Sequence, residues 1–136
     1  MRRNIILSGI IFAGISVILG AFGAHALKAL IPPEKIIVFE TGVRYQFMHS
    51  IALIILFLYA QKNAGTVVYS KWMHRASFAF MMGICLFSGS LYLIALQPLC
   101  TFNYTPFIGP VTPLGGLCFI LGWSFWAKHV STLNSN

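Results

Sequence analysis

Four long stretches of the chain contain no charged residue, and this feature limits the possible folds more than any other. They span residues 5–24, 45–60, 76–99 and 107–127. Twenty residues of α-helix rise about 30 Å, the thickness of the hydrocarbon core of a bilayer. Only 8% of the 136 residues are charged, whereas roughly a quarter of a soluble domain is charged. The sequence therefore predicts a single all-α integral membrane domain, a four-helix antiparallel bundle built from these spans.

The first stretch has a second interpretation as a signal peptide. Arg2 and Arg3 resemble the positive region of such a peptide, and Ala24-His25-Ala26 resembles its cleavage site. The apolar run is longer than the usual core of about 7–15 residues, and glycines interrupt it. We therefore predict a span that is retained.

The second stretch, 45–60, is short for a full crossing. Pro32-Pro33 precedes it and can start a helix, so we predict an amphipathic segment at the membrane surface from Pro33 to Arg44. Two alternatives stay open for the crossing itself. Either its helix begins near Thr41 and Arg44 extends to the headgroups, or Arg44 is buried against a partner.

The fourth stretch begins with two prolines and three glycines between Gly109 and Gly116. This pattern is typical of a helix start, with Thr112 as the N-cap and Pro113 as the first helical residue. The alternative is a broken helix that lines a cavity.

Basic residues predict the orientation, because cytoplasmic loops carry an excess of Lys and Arg. One side of the four-span arrangement has Arg2, Arg3, Lys62, Lys71, Arg75 and Lys128, and the other has Lys28, Lys35 and Arg44. Both termini are therefore predicted to face the cytoplasm. The net charge of +7 is not clustered, so nucleic acid is not an expected partner.

Small residues predict where helices approach one another in lipid. The expected packing positions are Ser16, Gly20, Ala24, Gly83, Gly115 and Gly122. We expect these positions to pack within one bundle, with a homo-oligomer contact as the alternative.

Polar residues are rare in the apolar zone, and they concentrate in the string E-T-G-V-R-Y-Q-F-M-H-S, Glu40–Ser50. If the chain turns at Pro32-Pro33, the end of the first span meets the start of the second. The predicted polar cluster is therefore His25, Glu40, Arg44, Tyr45 and His49. It is suited to a lipid headgroup, a quinone ring or a small anion. The alternative is structural, with Glu40 and Arg44 as an ion pair and the histidines bonded to backbone or water.

Catalytic patterns are absent from the sequence. It has two acidic residues, both glutamates, and three cysteines without a C-x-x-C pair, and neither a metal-ligand spacing nor a nucleophile elbow occurs. We therefore predict a non-enzyme without cofactor or metal that associates with lipid or with other membrane proteins. The alternative function is a small oligomeric transporter or channel, for which His49 is the candidate ionisable residue at depth.

Four segments resemble the DUF423 family, also called UPF0382. They are G-A-F-G-A-H-A-L (Gly20–Leu27), F-E-T-G-V-R-Y-Q-F-M-H-S-I-A-L (Phe39–Leu53), G-I-C-L-F-S-G-S-L-Y-L-I-A-L (Gly83–Leu96) and G-P-V-T-P-L-G-G-L-C-F-I-L-G-W (Gly109–Trp123). The resemblance implies a four-helix protein of the bacterial cytoplasmic membrane, related to small eukaryotic transmembrane proteins. It implies no particular biochemical activity.

Overall fold

The computed structural model describes residues 2–62 and 71–133, with side chains over 4–60 and 71–132. Six α-helices lie in these ranges, and no strand is found there. They are α1 (Arg2–Ala24), α2 (Pro33–Lys62), α3 (Lys71–Gly83), α4 (Gly89–Leu96), α5 (Thr105–Ile108) and α6 (Val111–Leu133). A π-helical turn, Ile84–Ser88, joins α3 to α4.

Four helical segments are long and apolar enough to cross a membrane. They are Asn4–Ala29, Pro33–Ala60, Lys71–Leu99 and Thr105–Thr132. The third combines α3, the π-helical turn and α4, and the fourth combines α5 and α6. The predicted all-α fold with four potential spans is confirmed.

Helix α2 begins earlier than the second uncharged stretch. The amides of Lys35 and Ile36 both donate to the carbonyl of Pro32, so the first turn forms directly after the proline pair. The helix then continues without a break to Lys62. The residues of the expected surface segment and those of the second span therefore belong to one helix.

Helix α6 also begins earlier than the sequence indicates. It starts at Val111, so Thr112 lies in the first turn and is not the N-cap. The Thr112 amide donates to the carbonyl of Gly109, and its hydroxyl lies 2.7 Å from the Ser90 hydroxyl. The side chain predicted to cap α6 instead joins α6 to α4.

Two phenylalanine–glycine pairs hold α3 against α6. A Cβ atom at Gly83 would overlap the ring of Phe119, and a Cβ at Gly122 would come within 2.5 Å of the ring of Phe80. Each helix therefore presents a phenylalanine and, three residues later, the glycine that accepts the phenylalanine of the other helix. Such close approach lets van der Waals packing act where lipid provides little hydrophobic driving force.

The π-helical turn brings backbone against backbone. The amide of Gly89 donates to the carbonyl of Ile84, five residues earlier, and this wider turn places Phe87 against α6. A Cβ at Gly115 would overlap the backbone nitrogen and Cα of Phe87. This is the tightest helix contact made by any glycine among the described residues.

Helix α1 packs along α2 through its own small residues. A Cβ at Gly9 would lie 2.9 Å from Ile54, and one at Gly23 would lie 3.0 Å from Phe39. At Gly20 the nearest neighbour is Val43 at 3.6 Å, which is ordinary contact. Ser16 is buried, whereas Ala24 is exposed.

Candidate functional site

The five residues of the predicted polar cluster occupy different places. His49 is buried, and the other four side chains are exposed. Glu40 and Arg44 line a groove between α1 and α2, whereas Tyr45 and His49 line a groove between α2 and α6. His25 lies beyond the end of α1 and lines neither of them.

His49 has a hydrogen-bond partner on each ring nitrogen. Nδ1 lies 2.8 Å from the carbonyl oxygen of Tyr45, which can only accept, so Nδ1 carries the proton. The indole Nε1 of Trp123 lies 3.3 Å from Nε2, and an indole N–H can only donate. Both bonds are satisfied together by the neutral Nδ1–H tautomer.

Aromatic rings fix the plane of the His49 imidazole. It stacks on Phe119 with ring centroids 3.5 Å apart and planes 10° apart. Phe80 and Trp123 lie at 5.6 and 6.1 Å. His49 thus joins α2 to α6. We call its ring and those of Phe80, Phe119 and Trp123 the aromatic wall.

An open cleft, which we call the lateral groove, lies in front of this wall between α2, α6 and Phe87. Its volume is about 680 Å³. Apolar side chains dominate its lining, which comprises Tyr45, Phe47, Met48, His49, Ile51, Ala52, Ile55, Phe87, Gly116, Phe119, Ile120 and Trp123. Ring contacts hold Tyr45 in the same wall, since its centroid is 4.7 Å from that of Phe87.

A neighbouring cleft, which we call the charged groove, lies between α1 and α2. It has a volume of about 450 Å³ and is lined by Ser16, Val17, Gly20, Phe39, Glu40, Val43, Arg44 and Phe47. Phe47 lines both grooves, so they adjoin on the surface of α2. No salt bridge joins Glu40 to Arg44, or either of them to another residue, in the part of the chain that the structure describes.

Gln46 is a buried polar residue that the predicted cluster omits. Its Nε2 donates to the carbonyl of Phe12 at 2.9 Å, and its Oε1 accepts from the hydroxyl of Tyr92 at 2.9 Å. Phe12 also accepts from the Ser16 hydroxyl. One buried amide therefore connects α2 with both α1 and α4. An amide inside an apolar span needs partners for its donors and acceptor, and this requirement is the signal that could have identified it.

Metal binding has no support among the described residues, where no group of three or more potential ligands comes together. Cys85 and Cys100 are exposed free thiols, and Cys118 is a half-buried one.

The chain has four potential spans, polar side chains that bond between helices, and a mostly apolar groove open to the surface. These features define a small multi-pass membrane protein. The chain belongs to the DUF423 family, described as a protein of unknown function, whose model matches residues 19–116. This match confirms the resemblance found in the sequence. The matched region includes Glu40, Arg44 and most of the lining of the lateral groove.

Relatives with membrane-protein names cover nearly the whole chain. UPF0382 membrane protein YwdK of Bacillus subtilis (strain 168) is 38% identical over 120 residues, which is 87% of this chain and 88% of that protein. UPF0382 inner membrane protein YgdD of Escherichia coli (strain K12) is 37% identical over 119 residues, 85% of this chain and 82% of that protein. No solved structure matches the chain.

Proposed function

We propose that this chain is a non-enzymatic protein of the cytoplasmic membrane that works by binding a phospholipid, with one acyl chain in the lateral groove. The observation that carries the proposal is the groove itself. Its volume of about 680 Å³ falls within the range of roughly 300–1,000 Å³ typical of ligand sites. Its lining is mostly apolar, and it is open to the surface of the helices.

The length of the lateral groove fits one leaflet. From Tyr45 to Ile55 the groove follows α2 for ten residues, about 15 Å at 1.5 Å per residue. One leaflet contributes half of a hydrocarbon core of about 30 Å. The groove is thus long enough to cover most of an acyl chain.

The interior polar contacts favour this function over the alternative of a solute transporter or channel. A pathway needs polar groups that are free to bind a solute. Gln46 instead bonds to two other helices, and both ring nitrogens of His49 are engaged. These groups stabilise helix contacts.

The proposed topology is an antiparallel bundle with both termini in the cytoplasm. Contacts of α1 with α2 support it, because Gly9 meets Ile54 whereas Gly23 meets Phe39, so one helix runs up as the other runs down. The distribution of Lys and Arg supports the orientation. The name of the Escherichia coli relative supports the inner membrane as the location.

Photo-crosslinking tests the proposal. The protein is reconstituted in nanodiscs that contain phosphatidylcholine with a diazirine in its acyl chain, and crosslinked peptides are mapped by mass spectrometry. We expect crosslinks to concentrate on the peptides that line the lateral groove. Labelling spread evenly over all lipid-facing helices would overturn the proposal.

Two matched variants sharpen this test. A Cβ at Gly116 would lie 3.8 Å from the Phe87 ring, which is ordinary contact, and Gly116 lines the groove, so Gly116→Leu adds its side chain there. At Gly14 a Cβ has no neighbour within 4 Å, so Gly14→Leu adds the same side chain outside the groove. The first variant should lose the groove crosslinks and the second should keep them. Solute-selective flux in proteoliposomes that His49→Ala abolishes would instead establish the transporter function.

Association with other membrane proteins, or of copies of this chain with one another, would appear as a larger assembly in the same nanodiscs. A lipid-bound monomer is the expected state. An oligomer that buries the lateral groove and excludes the lipid probe would contradict the proposal.

A further inference from the structure

We infer that Glu40 and Arg44 hold the headgroup of an aminophospholipid, whose phosphate faces Arg44 and whose ammonium faces Glu40. This inference rests on the proposed function, because it names the lipid class whose acyl chain occupies the lateral groove. It goes beyond that function by assigning a headgroup site to the charged groove.

The depth of the two charges requires a counter-group. Glu40 and Arg44 lie about 10 and 16 Å along α2 from Pro33, at 1.5 Å per residue. The polar layer on each side of a bilayer is about 5–8 Å thick. Both positions lie inside the candidate span Pro33–Ala60. Charged side chains there are costly unless they find a partner or extend to the headgroups.

The protein supplies no such partner within the described ranges. Both side chains are exposed, and neither forms a salt bridge there. Lys35, on the same helix, differs because its Nζ donates to the carbonyl of Ile94 at 3.4 Å. The charged groove thus presents one anion and one cation, four residues apart on one face of α2, both open to lipid.

This charge pattern complements a zwitterion that has hydrogen-bond donors. A guanidinium binds phosphate with paired N–H groups, and a carboxylate accepts N–H bonds from a primary ammonium. An anionic glycerol headgroup offers Glu40 hydroxyl donors but no cation, so it would balance the charge of Arg44 alone. A choline headgroup has a quaternary ammonium and offers Glu40 no N–H donor.

The two grooves adjoin where a lipid would need them to. Tyr45 follows Arg44 in the chain and lines the lateral groove, while Phe47 lines both grooves. One acyl chain can descend through the lateral groove from a headgroup beside Arg44. The second can descend along Gly20, Val17 and Ser16 in the charged groove.

Native mass spectrometry provides the test. The protein is released from nanodiscs that contain phosphatidylethanolamine, phosphatidylcholine and phosphatidylglycerol in equal amounts, and the retained lipids are counted. Wild type should retain phosphatidylethanolamine about tenfold over phosphatidylcholine, the ratio that corresponds to about 1.4 kcal/mol, near the lower end for a hydrogen bond to a charged group. Equal retention would overturn the inference, and would be the result if Glu40 and Arg44 paired only with each other.

Glutamine variants separate the two contacts. Glu40→Gln should remove the preference for phosphatidylethanolamine while lipid is still retained, and Arg44→Gln should lower retention of all three lipids. Glu34→Gln, at the first turn of the same helix, is the matched control and should behave as wild type. An unchanged preference in Glu40→Gln would overturn the inference.

A lipid series tests the same site without mutation. Retention should fall stepwise as the amine of phosphatidylethanolamine is replaced by its monomethyl, dimethyl and trimethyl forms. A flat series would overturn the inference.

Failure of the headgroup site can be told apart from failure of the proposed function. If Gly116→Leu lowers retention of every lipid while Glu40→Gln changes nothing, the groove stands and the headgroup site falls. If Glu40→Gln removes the preference while Gly116→Leu changes nothing, the headgroup site stands and the binding of an acyl chain in the lateral groove falls.

Discussion

Replacement of Gly115 by alanine should destabilise the protein more than the addition of a methyl group to a packed helix ordinarily does. The new Cβ would overlap the backbone nitrogen and Cα of Phe87. A backbone cannot rotate away as a side chain can, and the contact between Ser90 and Thr112 holds the two helices at this point. Overpacking costs about 1–3 kcal/mol, and alanine regains up to about 1 kcal/mol of helix propensity. With the steric cost at the top of its range, the net loss is about 2 kcal/mol.

The same substitution at Gly14 provides the control. No atom lies within 4 Å of a Cβ there, so Gly14→Ala should stabilise the helix by about 0.5–1 kcal/mol. The free energy of unfolding is measured by titration of detergent-solubilised protein with sodium dodecyl sulfate, followed by far-ultraviolet circular dichroism. The two variants should differ by about 3 kcal/mol. Equal unfolding curves would refute the close contact of Phe87 with α6.

Two further predictions concern the interior and the topology. Gln46→Leu removes the bonds to Phe12 and Tyr92 and leaves the Tyr92 hydroxyl without its acceptor. It should therefore lower the free energy of unfolding by about 1–3 kcal/mol. Tyr92→Phe removes one bond and should lower it by about 0.6 kcal/mol, the average for hydrogen bonds between membrane helices. Equal losses in the two variants, measured in the same titration, would contradict the role of Gln46 as the shared link. With Cys85 and Cys118 replaced by serine, Cys100 should react with a membrane-impermeant maleimide on intact cells. With all three native cysteines replaced by serine, a cysteine placed by Ser131→Cys should react only after lysis. The opposite pattern would reverse the proposed orientation.

The number of potential spans and their helical type could be predicted from the sequence, because length and the absence of charge are sufficient to mark a span. Their boundaries could not. The charge on Arg44 places the start of the second uncharged stretch at Tyr45, yet a charge does not end a helix. Nothing between Pro33 and Tyr45 interrupts hydrogen bonding, so α2 is continuous.

The rotation of each helix about its axis was harder to predict from the sequence. Small residues at 16, 20 and 24 suggest one packing face, but contact with α2 is closest at Gly9 and Gly23. Likewise, Arg44 and Tyr45 are neighbours in sequence but lie about 100° apart around a helix with 3.6 residues per turn. They therefore line different grooves, and the five-residue cluster expected from the sequence is divided between the two grooves beside α2, with His25 in neither. Which face meets which helix depends on contacts between spans, which the pattern within one span does not contain.

An experimental structure of the protein in native lipid would show whether a phospholipid occupies the lateral groove. We expect continuous density for an acyl chain along α2 from Tyr45 to Ile55, in contact with Gly116 and Phe119 of α6. A lateral groove that is closed by its own side chains, or occupied by a helix of a second copy, would contradict the proposed function.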